Sequence, residues 1–206
     1  MRELGTKADP ASSEIALDGR PLRICETIYL LALNKPSGVL STREDDRERS
    51  TVMSFVPEEL RTLVYPVGRL DYNSTGLLLL TNDGPLAFRL THPSHHVPKT
   101  YQVTAERPVG DAEVALLRSG VQIEDGFTAP AEVKVDPRDD RYLTIVLYEG
   151  RKRQIRRMLR AVGNEVISLQ RVAIGPMKLG NLAEGELRPL TPDEVAALRK
   201  AVELEA

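Results

Sequence analysis

Four consecutive leucines, Leu77 to Leu80, stand between Gly76 and the pair Asp83-Gly84. The run is too short for a typical globular helix and too continuous for a strand with one wet face. It reads as a strand buried on both sides with a turn after it, so the chain must supply cover for each face. The stretch leading in, "GRLDYNSTG" from Gly68 to Gly76, is polar and sets Asp71 at the entry to that strand. A carboxylate there is held by rigid structure at the edge of the core. Taken alone, such an Asp caps its turn and pairs with Arg69. The spacing of Gly68 and Gly76 does not fit a phosphate loop.

The rest of the chain is read around that strand. "SSEIALDGRPLR" gives two short strands about a turn at Asp18-Gly19. "IYLLALNKPSGVLST" is an apolar run broken by Lys35-Pro36 and Ser37-Gly38, hence a buried strand, a turn and another strand. "REDDRERS" is a charged loop, while "TYQVTAE" and "YLTIVLYEG" read as strands. "VGDAEVALLRSG" reads as a short helix capped at Asp111 and stopped at Gly120. "LTPDEVAALRKAVELEA" carries a capping box from Thr191 to Glu194, with Pro192 first in the helix. Strands outnumber helices, which predicts an α+β fold with a mixed, mostly antiparallel central sheet flanked by helices.

Charge is uneven along the chain. The net charge is −2, which argues against electrostatic coating of a nucleic acid. From Leu147 to Gly180, however, eight Lys and Arg face two Asp and Glu, and beyond Gly180 the balance is three against six. A local basic patch suits one docked polyanion. Within it lies "EGRKRQIRRMLRAVGN". Projected on a helix, Arg153, Arg156, Arg157 and Arg160 share one face, and Ile155, Met158, Leu159 and Val162 share the other. Gly163-Asn164 stops it. An arginine fork fits phosphate and carboxylate equally well, and the plain alternative is a solvated charged face.

Some chemistries are excluded early. One cysteine, Cys25, rules out a disulfide framework and a four-cysteine zinc site. All three histidines, His92, His95 and His96, lie in "LTHPSHHVPKTY" with no Cys or acid close in sequence to complete a metal site, so no metal is expected. There is no Gly-x-Ser-x-Gly elbow. The N-terminus shows no apolar leader and no segment reaches the length of a membrane span. A soluble cytoplasmic chain is the expectation. An enzyme of this composition would rest its chemistry on one Asp with basic helpers.

The stretches "LNKPSGVLST", "GRLDYNSTGLLLLTNDG", "PKTYQV", "YEGRKRQIRRMLRAVGN" and "SLQRVAIGPMKLG" occur in this order in the RsuA-type family of ribosomal RNA pseudouridine synthases, which the chain resembles over about residues 28 to 192. The likeness is greatest to the RluB-like, large-subunit branch. It implies a catalytic domain with a central cleft over residues 28–206, and residues 1–27 as the remnant of an S4-type RNA-binding domain plus linker. It implies that Asp71 is the catalytic aspartate and that Arg69 fills the space left in the RNA by a flipped uridine. Tyr101 would stack on the target base, Arg156 would pair with Asp71, and Leu169 would lie under the base. Lys99 fits the family's Lys-x-Tyr pattern as a substrate-binding residue. Arg151, Lys152, Arg153, Arg157 and Arg160 would contact the RNA backbone. The chain departs from the family at Ser74 and Thr75, where Thr followed by an acid is more common.

The resemblance implies isomerisation of one uridine of ribosomal RNA, 23S before 16S, by a monomer without cofactor. The aspartate acts either as nucleophile or as base, and sequence leaves both open. Two other readings stand beside it. One is a ribosome-assembly factor that only binds RNA. The other is a glycosyl hydrolase, which would want a second carboxylate.

Overall fold

The computed structural model describes residues 16–21 and 27–204. A small hairpin comes first: β1 (Ala16–Leu17) and β2 (Arg20–Pro21) flank the Asp18-Gly19 turn, as the sequence predicts. Both turn residues have positive φ, 50° and 76°, the geometry that Asp-Gly supplies in a two-residue hairpin.

The main body follows in chain order as β3 (Leu30–Lys35), β4 (Tyr65–Pro66), β5 (Thr75–Thr81), α1 (Gly84–Thr91), β6 (Lys99–Ala105) and α2 (Asp111–Ser119). It continues through β7 (Gln122–Ile123), β8 (Gly126–Phe127), β9 (Glu132–Asp136), β10 (Asp139–Leu147) and α3 (Gln154–Ala161). The last elements are β11 (Val166–Ile174), β12 (Met177–Lys178), β13 (Leu187–Pro189) and α4 (Pro192–Ala201). Among the described residues, nine strands make one sheet in the order β13-β3-β5-β11-β6-β10-β9, with β4 on β5 and β12 on β11. Every pairing is antiparallel except β5 with β11. That parallel contact, Gln170 to Thr75 and Arg171 to Gly76, is the seam between two half-sheets. The fold is α+β with a mixed, mostly antiparallel sheet.

The leucine run is explained by cover on both faces. Leu77 and Leu79 pack with Leu86, Leu90 and Leu198, from α1 and α4. Leu78 and Leu80 pack on the opposite face with Val52, Met53 and Val56, from the segment between β3 and β4. All four leucines are fully buried, and each stabilises the fold by roughly 1.5–3 kcal/mol relative to exposure. A third cluster fills the other half-sheet, where Val103, Leu143 and Ile145 meet Leu117 of α2 and Met158 and Leu159 of α3.

Three local expectations change. The strand expected after the Ser37-Gly38 turn does not form among the described residues, where only an isolated bridge joins Leu40 to Thr51. Asp83 does not merely turn the chain: it caps α1, accepting from the Leu86 N–H at 3.0 Å, and pairs with Arg199 at 2.5 Å. Asn-Asp-Gly serves a turn and a helix N-cap with the same chemistry, so the helix was not legible from those letters. Asp111 is the first residue of α2 rather than its cap; Gly110 holds the cap position and its N–H donates to Glu113 Oε2 at 2.7 Å. The capping box from Thr191 to Glu194 forms as expected.

Candidate active site

Asp71 sits on a tight turn closed by the Ser74 N–H donating to the Asp71 carbonyl at 3.0 Å. The turn is gripped from below by the loop after β3. Ser41 Oγ donates to the Leu70 carbonyl at 3.0 Å and accepts from the Leu70 N–H at 3.1 Å. The Gly38 N–H donates to the Tyr72 carbonyl at 2.9 Å. Lys35 is fully buried, and its ammonium donates to the carbonyls of Pro36 at 2.8 Å and Ser74 at 2.9 Å. Burial pushes the Lys35 ammonium down to about 8, while the charges of Asp71 and Glu184 pull it partly back. β5 then leaves the turn directly into the core, so the carboxylate position is fixed from both ends.

Above the turn lies a cleft of about 510 Å³, within the roughly 300–1,000 Å³ of small-molecule sites. It brings together Arg69, Asp71, Lys99, Tyr101 and Leu169. Arg151, Lys152 and Arg153 line it as well. Register explains the assembly. Tyr101 of β6 is paired with Arg171 of β11, and Lys99, two residues earlier, projects to the same face as Tyr101. Leu169 is buried beside them.

Arg156 stands behind the cleft rather than in its wall. Its guanidinium donates to the Asn73 carbonyl at 3.3 Å and the Val166 carbonyl at 3.1 Å. It therefore grips the Asp71 turn through backbone, and it meets Asp71 across space, without a direct ion pair among the described residues. Burial lowers its affinity for a proton, and the nearby Asp71 charge opposes that effect.

The four-arginine face needs correction. Arg153 is the N-cap of α3, in the left-handed region at φ 52°, so it does not lie on the helix face. Arg157 pairs with Glu124 and with Asp125, the latter at 2.6 Å, and Arg160 pairs with Glu165 at 2.8 Å. Arg151 pairs with Glu149 at 3.1 Å. The helix carries no acid of its own, but the β7–β8 turn and the start of β11 bring acids to it. Sequence distance hid Glu124 and Asp125, whereas Glu165 stands only five residues from Arg160, just past the stop of the helix. Neither Arg157 nor Arg160 lines the cleft; the unpaired cations there are Arg69, Lys99, Lys152, Arg153 and Arg171, among the described residues.

Lys35, Ser41 and Arg171 were not singled out by sequence reasoning. Lys35 had a signal: a lysine inside an apolar run is affordable only if its ammonium finds carbonyls. Arg171 is buried at 5% exposure, with Nε donating to the Leu77 carbonyl at 2.8 Å. No cluster of three or more His, Cys, Asp or Glu able to hold a metal occurs among the described residues. No helix among them is long and apolar enough to cross a membrane.

Residues 29–161 match the family described as RNA pseudouridylate synthase. The chain is 40% identical over 203 residues to the ribosomal large subunit pseudouridine synthase B of Bacillus subtilis, covering 97% of this chain and 82% of that protein. It is 43% identical over 187 residues to the ribosomal small subunit pseudouridine synthase A of Salmonella typhimurium, covering 89% and 80%. Its fold superposes on a crystal structure of a pseudouridylate synthase with a TM-score of 0.80 at 38% identity, covering 86% of this chain and 76% of that one.

Proposed function

The chain belongs to the RNA pseudouridylate synthase family, and on that premise we propose that it isomerises a specific uridine of 23S ribosomal RNA to pseudouridine, with Asp71 as its catalytic carboxylate. The observation that carries this reading is the cleft that gathers Asp71, Tyr101 and Leu169 under a basic rim. The base must leave the RNA helix to reach such a floor. Tyr101 stacks on it from one side, Leu169 supports it from below, and Arg69, exposed at the mouth, fills the gap in the RNA. Lys152 and Arg153 meet the backbone. Arg157 and Arg160 do so only by giving up their carboxylate partners, so they contribute less than the rim residues.

The reaction exchanges one bond for another. The N1–C1′ bond breaks with its electron pair going to the base, while Asp71 either bonds C1′ or takes a ribose proton. The base turns and C5 joins C1′ as the Asp71–C1′ bond breaks or the ribose takes its proton back; the C5 proton then leaves and N1 gains one. Nothing is oxidised or reduced. The 23S assignment rests on "LDYNSTGLLLLTNDG" and on the longer span shared with the large-subunit relative; the identities of 40% and 43% do not separate the two substrates. The chain acts as a monomer in the cytoplasm; the reading of residues 1–27 as the remnant of an S4-type domain plus linker falls mostly outside the described residues, which here are only 16–21 and 27. Mapping pseudouridines in rRNA from cells with and without this protein tests the assignment. Loss of one site in 23S rRNA supports it, a lost 16S site moves the substrate, and an unchanged map in both removes the enzyme reading.

Arg156→Ala is expected to lower turnover by about 100-fold, because it removes the grip on the Asn73 carbonyl and the positive charge that acts on Asp71, and small misplacements of a reacting group cost that much. Arg160→Ala, which breaks only a surface pair with Glu165, is expected to leave turnover within about twofold. Single-turnover rates of the two variants check this, and equal losses would mean that the helix acts as one charged rail.

A further inference from the structure

We propose that Lys99 and Arg171 form an anion site at the base of the cleft, which takes the carbonyl oxygens of the uracil as they become negative when the glycosidic bond breaks. The inference rests on the pseudouridine synthase reading and adds a role for two residues within it.

The site is built and unneutralised. Arg171 is buried, one nitrogen is spent on the Leu77 carbonyl, and its Nη2 is buried with no hydrogen-bond partner. A buried guanidinium nitrogen without an acceptor is costly unless a ligand supplies one. Lys99 is close enough for its charge to be opposed by Arg171, and burial together with that repulsion pushes its ammonium down to about 8. Among the described residues neither cation forms an ion pair. The two carboxylates lining the cleft do not relieve them. Glu149 is occupied by Arg151, Gln154 and the Ala129 N–H, and the Asp71 charge acts on Lys35 and Arg156.

Position favours the base over a phosphate. Arg171 is the cross-strand partner of Tyr101, and Lys99 shares its strand face. A base stacked on Tyr101 therefore lies beside the pair. Phosphates pass at the rim, where Lys152 and Arg153 are exposed. When N1–C1′ breaks, the electron pair stays with the base and spreads onto O2 and O4. Fixed cations there bind the transition state more tightly than the ground state, and so act on rate rather than affinity.

Lys99 is the residue to vary, since the Arg171 side chain also holds the Leu77 carbonyl of β5. Single-turnover rates, RNA affinity and its salt dependence are measured for wild type, Lys99→Gln and Lys99→Arg on one rRNA fragment. Lys99→Gln should slow the rate on bound RNA by about 100-fold with affinity and salt slope unchanged, and Lys99→Arg should recover most of it. The wild-type rate should fall as pH rises through about 8, where Lys99 loses its proton, and this fall should vanish in Lys99→Arg. The charged and titratable groups that line the cleft with Lys99 are Arg69 and Asp71 on their turn, Tyr101 on its own strand, Glu149 and Arg151 to Arg153 after β10, and Arg171 on β11; Lys35 below also titrates near 8. A fall that persists in Lys99→Arg belongs to Lys35 and overturns the role of Lys99. Weaker binding with a salt slope reduced by about one charge, at an unchanged rate, would make Lys99 a phosphate contact and overturn the proposal. Equal rates in wild type and Lys99→Gln overturn it too. A wild type that forms no pseudouridine overturns the parent reading instead.

Discussion

Asp71→Asn is expected to lower turnover by about four orders of magnitude or more, while the fold and RNA binding stay in place. The change is isosteric. Among the described residues the Asp71 carboxylate takes no hydrogen bond and forms no ion pair, so packing does not depend on its charge. The turn is held through backbone groups instead, by Ser41 on Leu70, by Gly38 on Tyr72 and by Lys35 on Ser74. Single-turnover kinetics, melting temperature and RNA affinity measured on one preparation check the separation. Ordinary activity in a folded Asp71→Asn protein would end the catalytic assignment.

The second large effect is structural. Gly76 has φ 103°, and a Cβ there would lie 2.3 Å from the Arg171 carbonyl oxygen and 2.7 Å from the Arg171 nitrogen. These are backbone atoms of the neighbouring strand and cannot rotate away. The residue also sits at the seam where β5 and β11 join the two half-sheets. Gly76→Ala is therefore expected to cost roughly 3–5 kcal/mol, through left-handed strain and a broken seam together. Gly180→Ala is the control: φ is 59°, but nothing lies within 4 Å of its Cβ position, so only about 1 kcal/mol is expected. Denaturant unfolding of the pair checks it, and similar midpoints would show that the seam tolerates a side chain.

What the sequence made legible depended on how local the physics was. The leucine run announces a strand covered on both faces because burial erases alternation, and Leu77 to Leu80 do alternate between two clusters. The Asp18-Gly19 hairpin and the Thr191 capping box are short-range devices and read directly. The register that gathers Asp71, Tyr101 and Leu169 was not readable from spacing; it came with the family resemblance, and the cleft does hold these side chains together. Long-range partners stayed hidden. Nothing near Arg157 in sequence points to Glu124 and Asp125, more than thirty residues away. Arg171 looks like one more member of a basic stretch until β11 carries it into the sheet. Lys35 marks the intermediate case: its apolar surroundings were visible, but the carbonyls of the Asp71 turn that accept from it were not.

The central claim is that this cleft isomerises uridine. It is tested most directly by incubating the purified protein with a 23S rRNA fragment whose uridines carry tritium at C5. Forming the C5–C1′ bond expels that label to water, whereas binding alone releases nothing and glycosyl hydrolysis releases tritiated uracil instead. The account predicts tritium in water, up to one equivalent per RNA, with the RNA mass otherwise unchanged and no free uracil. Tight binding without tritium release, or free uracil in its place, would contradict it.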